Sequence, residues 1–308
     1  MTNSNGDATH DDGAPSSRPA FSTNDLLATR YRIVRLIGAG GAGEVYEALD
    51  TSLGVHVALK TLKPTLASDA IQLERFRREI QNARKVTHLN VCRIFDIGHH
   101  TAGGRERLFL TMELLAGRSL AQRLAAGPAY EAEEALAIAS QIAEGLQAAH
   151  DAGVVHRDLK PANIMLLPPP TGRFAERAVI TDFGLALSDE QGDIRLTQSG
   201  ELVGTPDYMA PEQVEPAPAR PTADVYAFGL ILFEMLTRQR PFAAGATPLA
   251  TVLKRRREPP RPLRELLPKI DPTWEAAVAR CLERQPDKRF QRPADVIAAL
   301  TPRRGKRS

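Results

Sequence analysis

Asp158 and Asp182 stand twenty-four residues apart, the first inside His156-Arg-Asp-Leu-Lys-Pro-Ala-Asn163 and the second opening Asp182-Phe-Gly184. This pair constrains the fold more than any other feature, because its chemistry exists only if two separate loops lie side by side. Asp158 can accept a hydroxyl proton, Asn163 with Asp182 can hold a divalent metal, and Lys160 can sit against a transferring phosphate. Acid, amide, carboxylate and ammonium on adjacent loops suit phosphoryl transfer from a nucleotide to an alcohol.

The chain has 308 residues, enough for two packed lobes without disulfide or metal staples. Its apolar share of 43% and charged share of 25% are those of a globular protein. A net charge of +3 and an aromatic share of 5% argue against a nucleic-acid surface, which needs a basic stripe interleaved with aromatics. Cys92 and Cys281 stand alone, without C-x-x-C spacing, and are expected to be small core residues in a reducing cytoplasm. No apolar run nears the roughly 20 residues of a membrane span. The N-terminus has no basic region followed by an apolar one, so no secretory signal or membrane insertion is expected.

Residues 1–28, above all the first 24, are polar and rich in Gly and Pro, and are expected to form a disordered tail. Docking or phosphorylation of that tail is the functional alternative. Order is expected over 29–301, with a small lobe at about 29–114 and a large one at about 117–301. Residues 302–308 form a basic end, either solvated or an anionic docking strip. Strand patterns at 31–37, 44–48, 55–60, 91–98 and 108–113 predict a five-stranded small lobe. A helix over 73–86 backs it, with Leu73, Phe76, Ile80 and Ala83 on one face. Farther on, Ile138, Ile142, Leu146 and Ala149 stripe a helix over 132–152, closed by Gly153. Later helices are predicted over 222–237, 248–256, 272–283 and 293–300. The Pro-rich run at 168–172 is expected to be a surface excursion between two short strands.

Gly38-Ala-Gly-Gly-Ala-Gly43-Glu-Val45 fits a phosphate-cradling glycine loop. Strand-like residues on both sides separate it from a dinucleotide turn, which opens a helix. A plain Gly-rich hairpin is the bland alternative. Val57-Ala-Leu-Lys60 then places an ammonium at the apolar end of a strand, where burial is costly without a partner. Glu79 on the following helix is the best partner by spacing, with Glu74 a second candidate. The segment from Leu110 to Gly117 is expected to link the lobes and read adenine through its backbone. Val45 and Ala58 would lie above the ring and Met165 below, unless each is simply core.

Together these segments resemble the signature set of eukaryotic-type protein serine/threonine kinases in their bacterial form. The glycine loop, Val57 to Lys60, His156 to Asn163, Asp182 to Gly184 and Ala210-Pro-Glu212 occur in order, and the resemblance spans about 31–300. It implies an α+β, bilobal protein-kinase-like fold: a small antiparallel β-sheet lobe with one main helix, and a larger, mostly helical lobe. By resemblance, Lys60 contacts the α/β-phosphates and pairs with Glu79, Asp158 is the base, and Asn163 and Asp182 hold Mg²⁺, with Mn²⁺ as an alternative. ATP is then expected to contact Ile37, Gly38, Ala39, Gly40, Gly41, Ala42, Gly43, Val45, Ala58, Lys60 and Met165. Glu113 and Leu115 offer backbone groups to adenine, and Met112 guards the back of its pocket. Asp224-Val-Tyr-Ala-Phe-Gly229 and Arg289 resemble the helix and arginine that brace the large lobe, with Glu212 as the arginine's partner. Lys160 and Gly204-Thr-Pro-Asp-Tyr208 resemble the serine/threonine branch. Two departures stand out: Ala42 replaces a common aromatic, which loosens phosphate shielding, and Leu89 replaces a common proline.

Arg157 precedes the base, and a cation there invites a phosphate on the activation segment. Of the hydroxyls Ser188, Thr197 and Ser199, the latter two lie nearer the acceptor-binding loop and are favoured for autophosphorylation. Thr205 is expected to tie Asp158 and Lys160. Expected partners are proteins with Ser/Thr acceptors and the chain itself, including a homodimer during activation. Two competing readings are a small-molecule phosphotransferase, which generally lacks an Ala-Pro-Glu-terminated segment, and a scaffold that binds nucleotide without turnover.

Overall fold

The computed structural model describes residues 19–40, 43–62, 70–102, 105–169, 176–183, 206–214, 220–243, 245 and 247–301. In the small lobe, strands β1 (Leu26–Leu27), β2 (Tyr31–Gly40), β3 (Gly43–Asp50), β4 (Val55–Thr61), β5 (Ile94–Ala102) and β6 (Arg105–Met112) form one sheet. Its order is β1-β2-β3-β4-β6-β5, antiparallel throughout. Five strands are those expected; β1 arises from the segment read as disordered. That reading is corrected for residues 19–28. Phe21 and Leu27 are buried among Tyr31, Ile33, Tyr46 and Phe109. The Phe21 ring meets Tyr46 edge-on, centroids 5.7 Å apart, and the Ala20 N–H donates to Glu44 Oε2 at 2.9 Å. Burying one such side chain is worth about 1.5–3 kcal/mol, enough to order a short strap whose average composition is polar.

Helix α1 (Ala70–Ala83) lays Phe76 and Ile80 against Leu62, Leu108 and Leu110. It stops three residues short of the predicted end because Lys85 and Val86 turn back, donating to the carbonyls of Asn82 and Ala83. The large lobe opens with β7 (Arg118–Ser119), α2 (Leu120–Ala126) and α3 (Ala132–Asp151), followed by β8 (Ile164–Leu167) and β9 (Arg177–Ile180). These three strands form a second sheet in the order β7-β8-β9. Then come α4 (Pro221–Thr237), α5 (Pro248–Arg257), α6 (Leu263–Leu266), α7 (Pro272–Cys281) and α8 (Pro293–Leu300).

Helix α4 is buried on nearly every side, as an all-apolar helix must be. A Cβ on Gly229 would fall 2.5 Å from the Cys281 Cβ, so the missing side chain lets α4 touch α7. Cys92 and Cys281 are core residues, as expected, and burial pushes both thiols up to about 12. The lobes are stitched beside α3. Cys92 N–H donates to Ile180 at 2.8 Å, Ile180 N–H to Asn90 at 2.8 Å, and Asn90 Nδ2 to Ala178 at 2.7 Å. These bonds carry the end of β9, and with it Asp182, beneath the small lobe.

Candidate active site

Strand β8 follows the catalytic loop, and β9 pairs with it antiparallel so that Ile164 faces Ile180 in register. The two loops flanking this pair are thereby adjacent. Thr181 N–H and Oγ1 both donate to the Asn163 carbonyl, at 2.8 and 3.2 Å. Asp158 Oδ2 accepts from Lys160 Nζ at 2.7 Å and from Asn163 Nδ2 at 3.2 Å; the same amide group donates to the Asp158 carbonyl at 2.8 Å. Both bonds spend the amide nitrogen of Asn163 on Asp158. Asp158 is nearly half exposed and open to an acceptor.

Two backbone outliers mark the same loops. Arg157 and Asp182 have φ of 67° and 65°, left-handed values that a side chain tolerates only when its surroundings enforce them. The enforcement is visible. Buried Asp224 of α4 accepts the N–H groups of His156 (2.8 Å) and Arg157 (2.9 Å) together with His150 Nε2 (2.7 Å). Gln213 donates to the Arg157 carbonyl, the His156 ring packs tilted against Phe183 with centroids 4.6 Å apart, and its Nε2 lies 2.9 Å from the Thr181 carbonyl.

Burial alone would push the Asp224 carboxyl up, but the His150 hydrogen bond and the backbone donors hold it below its ordinary 3.8. The native state therefore resists a proton that the unfolded chain accepts. The contribution is full above 3.8 and is lost as pH falls through the lower folded value. Asp224→Asn is expected to cost about 1.5–3 kcal/mol at neutral pH, the scale of one charged hydrogen bond. Its stability-versus-pH curve, from urea melts below pH 5, should be flatter than that of the native chain. Parallel curves would contradict this role.

The ion pairs in place around Lys60 and Glu79 differ from the expected one. The Lys60 ammonium, 5% exposed, lies 2.8 Å from Asp182 Oδ2, while Glu79 Oε1 accepts from Arg157 Nη1 at 2.8 Å. Helical spacing puts Glu79 on the face that meets the catalytic loop. It cannot say which cation Glu79 meets there, and the fold supplies a second one from the catalytic loop. Arg157 is accordingly not the unpaired cation that the sequence suggested.

The glycine loop lies over this cleft, with Gly38 opposite Val45 and Gly40 opposite Gly43. Gly43 has φ +125°, and a Cβ there would strike the Thr61 carbonyl at 2.2 Å, so only glycine fits. Among the described residues nothing lies within 4 Å of a Cβ on Gly38 or Gly40, so packing does not demand glycine at either position. Ile37 is exposed and Ala39 lies on the same strand. Gly41, Ala42, Ser188, Thr197, Ser199 and Thr205 lie outside the described residues.

Behind the loop, Ala58, Cys92, Met112 and Val179 form an apolar cluster with Val45, Leu114, Leu115 and Leu167 packed on it. Met165 shares the Leu167 face of β8 and sits opposite Val179 in register. Glu113 N–H donates to Arg93 at 2.9 Å, and its carbonyl faces Cys92 Sγ at 3.8 Å. Sequence reasoning missed Cys92, Leu114, Leu167 and Val179, which carry no signal beyond being apolar. It also missed Gln213, whose role depends on a contact across 56 residues.

A two-lobed chain with a glycine loop over a buried lysine, and with these two loops below, has the protein kinase fold. Comparison with known proteins agrees. The family described as "Protein kinase domain" matches residues 31–298, and the chain belongs to that family. It is 38% identical over 278 residues to serine/threonine-protein kinase PknA of Mycobacterium tuberculosis, covering 89% of this chain and 62% of that one. It is 35% identical over 279 residues to probable serine/threonine-protein kinase PknB of Corynebacterium glutamicum, covering 89% and 42%. The chain thus spans only part of the length of these relatives. The crystal structure of the M. tuberculosis PknI kinase domain superposes with a TM-score of 0.70 at 26% identity, covering 91% of this chain and 98% of that one.

Proposed function

We propose that the protein is an ATP-dependent serine/threonine kinase acting on proteins. The observation that carries this reading is the Asp158 carboxylate held between Lys160 and Asn163 while Thr181, next to Asp182, is bonded to Asn163 itself. Asp158 is placed to accept the acceptor hydroxyl's proton, and Lys160 to neutralise the phosphoryl group in flight. The phosphoryl transition state is loose, so holding charges in line contributes more than proton removal. Lys60 stands ready for the inner phosphates, and the apolar cluster around Ala58 and Met112 is a dry slot for a flat base, with Glu113 and Leu115 along its edge.

The donor set fits a hard cation. Asn163 and Asp182 offer oxygen only, and a pair of protein oxygens completed by phosphates and water suits Mg²⁺, with Mn²⁺ as a substitute. Bound there, the cation would neutralise charge on the nucleotide's outer phosphates. In the arrangement seen, Asp182 is engaged by Lys60 and Glu79 by Arg157. A phosphate on Thr197 or Ser199 would compete for Arg157 and release Glu79 toward Lys60, freeing Asp182 for metal. Autophosphorylation, within a homodimer formed for activation, would supply that phosphate. A cytoplasmic location accords with two free cysteines; among the described residues no helix is long and apolar enough to cross a membrane.

The purified chain incubated with γ-labelled ATP and Mg²⁺ is expected to label an acceptor protein such as casein, and itself at Thr197 or Ser199 by phosphopeptide mapping. Label on no polypeptide would refute the reading, and label only on small molecules would favour the phosphotransferase alternative. Full activity with neither loop hydroxyl modified would remove the activation step.

A further inference from the structure

Four cations in a row, Lys254 to Arg257, close α5. Arg256 and Arg257 are exposed, but Arg255 is 2% exposed. Burying a guanidinium is costly without partners. Arg255 Nη1 donates to the Met209 carbonyl at 2.7 Å and Nη2 to the Asp207 carbonyl at 2.5 Å. Both carbonyls belong to the short turn around Pro206–Tyr208, which leads into Ala210-Pro211-Glu212.

Side chains grip the same turn elsewhere. Arg240 Nη1 lies 2.7 Å from Asp207 Oδ2, and the Tyr208 hydroxyl donates to Glu234 of α4. One face of the turn walls a recess of ≈ 410 Å³ whose other walls include Lys160 and Ala162 of the catalytic loop and Leu124 of α2. Lys160 is bonded to Asp158, so this recess opens beside the base. It is the place where an extended acceptor chain would lie.

We infer that Arg255 is a positioning residue for the acceptor polypeptide: from α5 it fixes the turn at 206–209, so that the recess keeps the shape that brings a serine or threonine to Asp158. The inference rests on the kinase reading. A planar fork can hold two carbonyls at once, which a lysine ammonium does with less geometric definition and an apolar residue not at all. The bonds seen from Arg255 run to the turn at 206–209 and not to Asp158, so its removal is expected to act on acceptor binding and leave nucleotide binding alone.

The test uses the full chain, ATP and a casein acceptor, with Arg255→Gln and Arg255→Lys as variants. In the Gln variant the acceptor KM is expected to rise about ten- to a hundredfold, the scale of charged-donor hydrogen bonds, while the KM for ATP is unchanged. The Lys variant should recover part of the loss. Amide exchange should quicken over 206–214 while α4 stays protected. Equal acceptor KM in all three proteins overturns the inference and leaves the kinase reading standing. Loss of protection throughout α4, with the KM for ATP rising in parallel, overturns it in favour of a purely structural arginine. A native chain that labels no acceptor overturns both readings together.

Discussion

In single-turnover measurements at saturating ATP, Asp182→Asn is expected to transfer phosphoryl at least as slowly as Asp158→Asn. A general base contributes about 10²–10⁴-fold, and that is the ceiling on what the Asp158 change removes as a base. Asp182 does two things at once. It is one of only two oxygen donors proposed for the cation, and it is the partner of a lysine that is 5% exposed. Replacing it by an amide removes the countercharge this buried ammonium has in the structure as well as weakening the cation's hold. Charge neutralisation carries most of the acceleration in a loose transition state, so the Asp182 change should be the more damaging. A nearly active Asp182→Asn protein would contradict this ranking.

Glu212→Ala is expected to lower stability by about 3–5 kcal/mol, the usual cost of leaving a buried charge without its partner. Arg289 has a fully buried side chain and grips Glu212 with both nitrogens, at 2.6 and 2.7 Å. Its remaining donors reach the carbonyls of Glu283, Thr222 and Arg284, and the guanidinium lies over the Tyr226 ring at 4.7 Å. Those carbonyls solvate the charge but do not neutralise it. The midpoint of thermal unfolding, followed by circular dichroism, should fall by about 10 °C. The double change Glu212→Ala with Arg289→Met should recover part of the loss, since an apolar side chain of similar volume leaves no orphaned charge. An unchanged midpoint for Glu212→Ala would show that the carbonyl cage alone suffices.

Local pattern was enough for most elements, and contact across the chain decided the rest. The stripe through Ile138, Ile142, Leu146 and Ala149 and the all-apolar run of α4 are periodic, and both appear where expected. So does the Glu212–Arg289 pair, because resemblance carries it residue by residue. Helix α2 went unread although Ser119 and Gln122 form a capping box at its start, a signal available in the sequence. Glu79 shows the limit differently. Its face on the helix is periodic, but its choice between Lys60 and Arg157 depends on how the catalytic loop is held by Asp224, which no spacing encodes. Arg255 is the sharpest case, since hydropathy cannot see two carbonyls waiting at the other end of a guanidinium.

The strap at residues 19–28 bears on how the protein is handled. Trimming the chain at position 29, where composition draws the domain's edge, would remove Phe21 and Leu27 and leave Tyr46 and Phe109 with a greasy socket facing water. It would also take away the Ala20 donor from Glu44, the residue immediately after Gly43. A shortened version would therefore invite clumping between molecules, and would unsettle the root of the hairpin that roofs the nucleotide, at a point well removed from the cut.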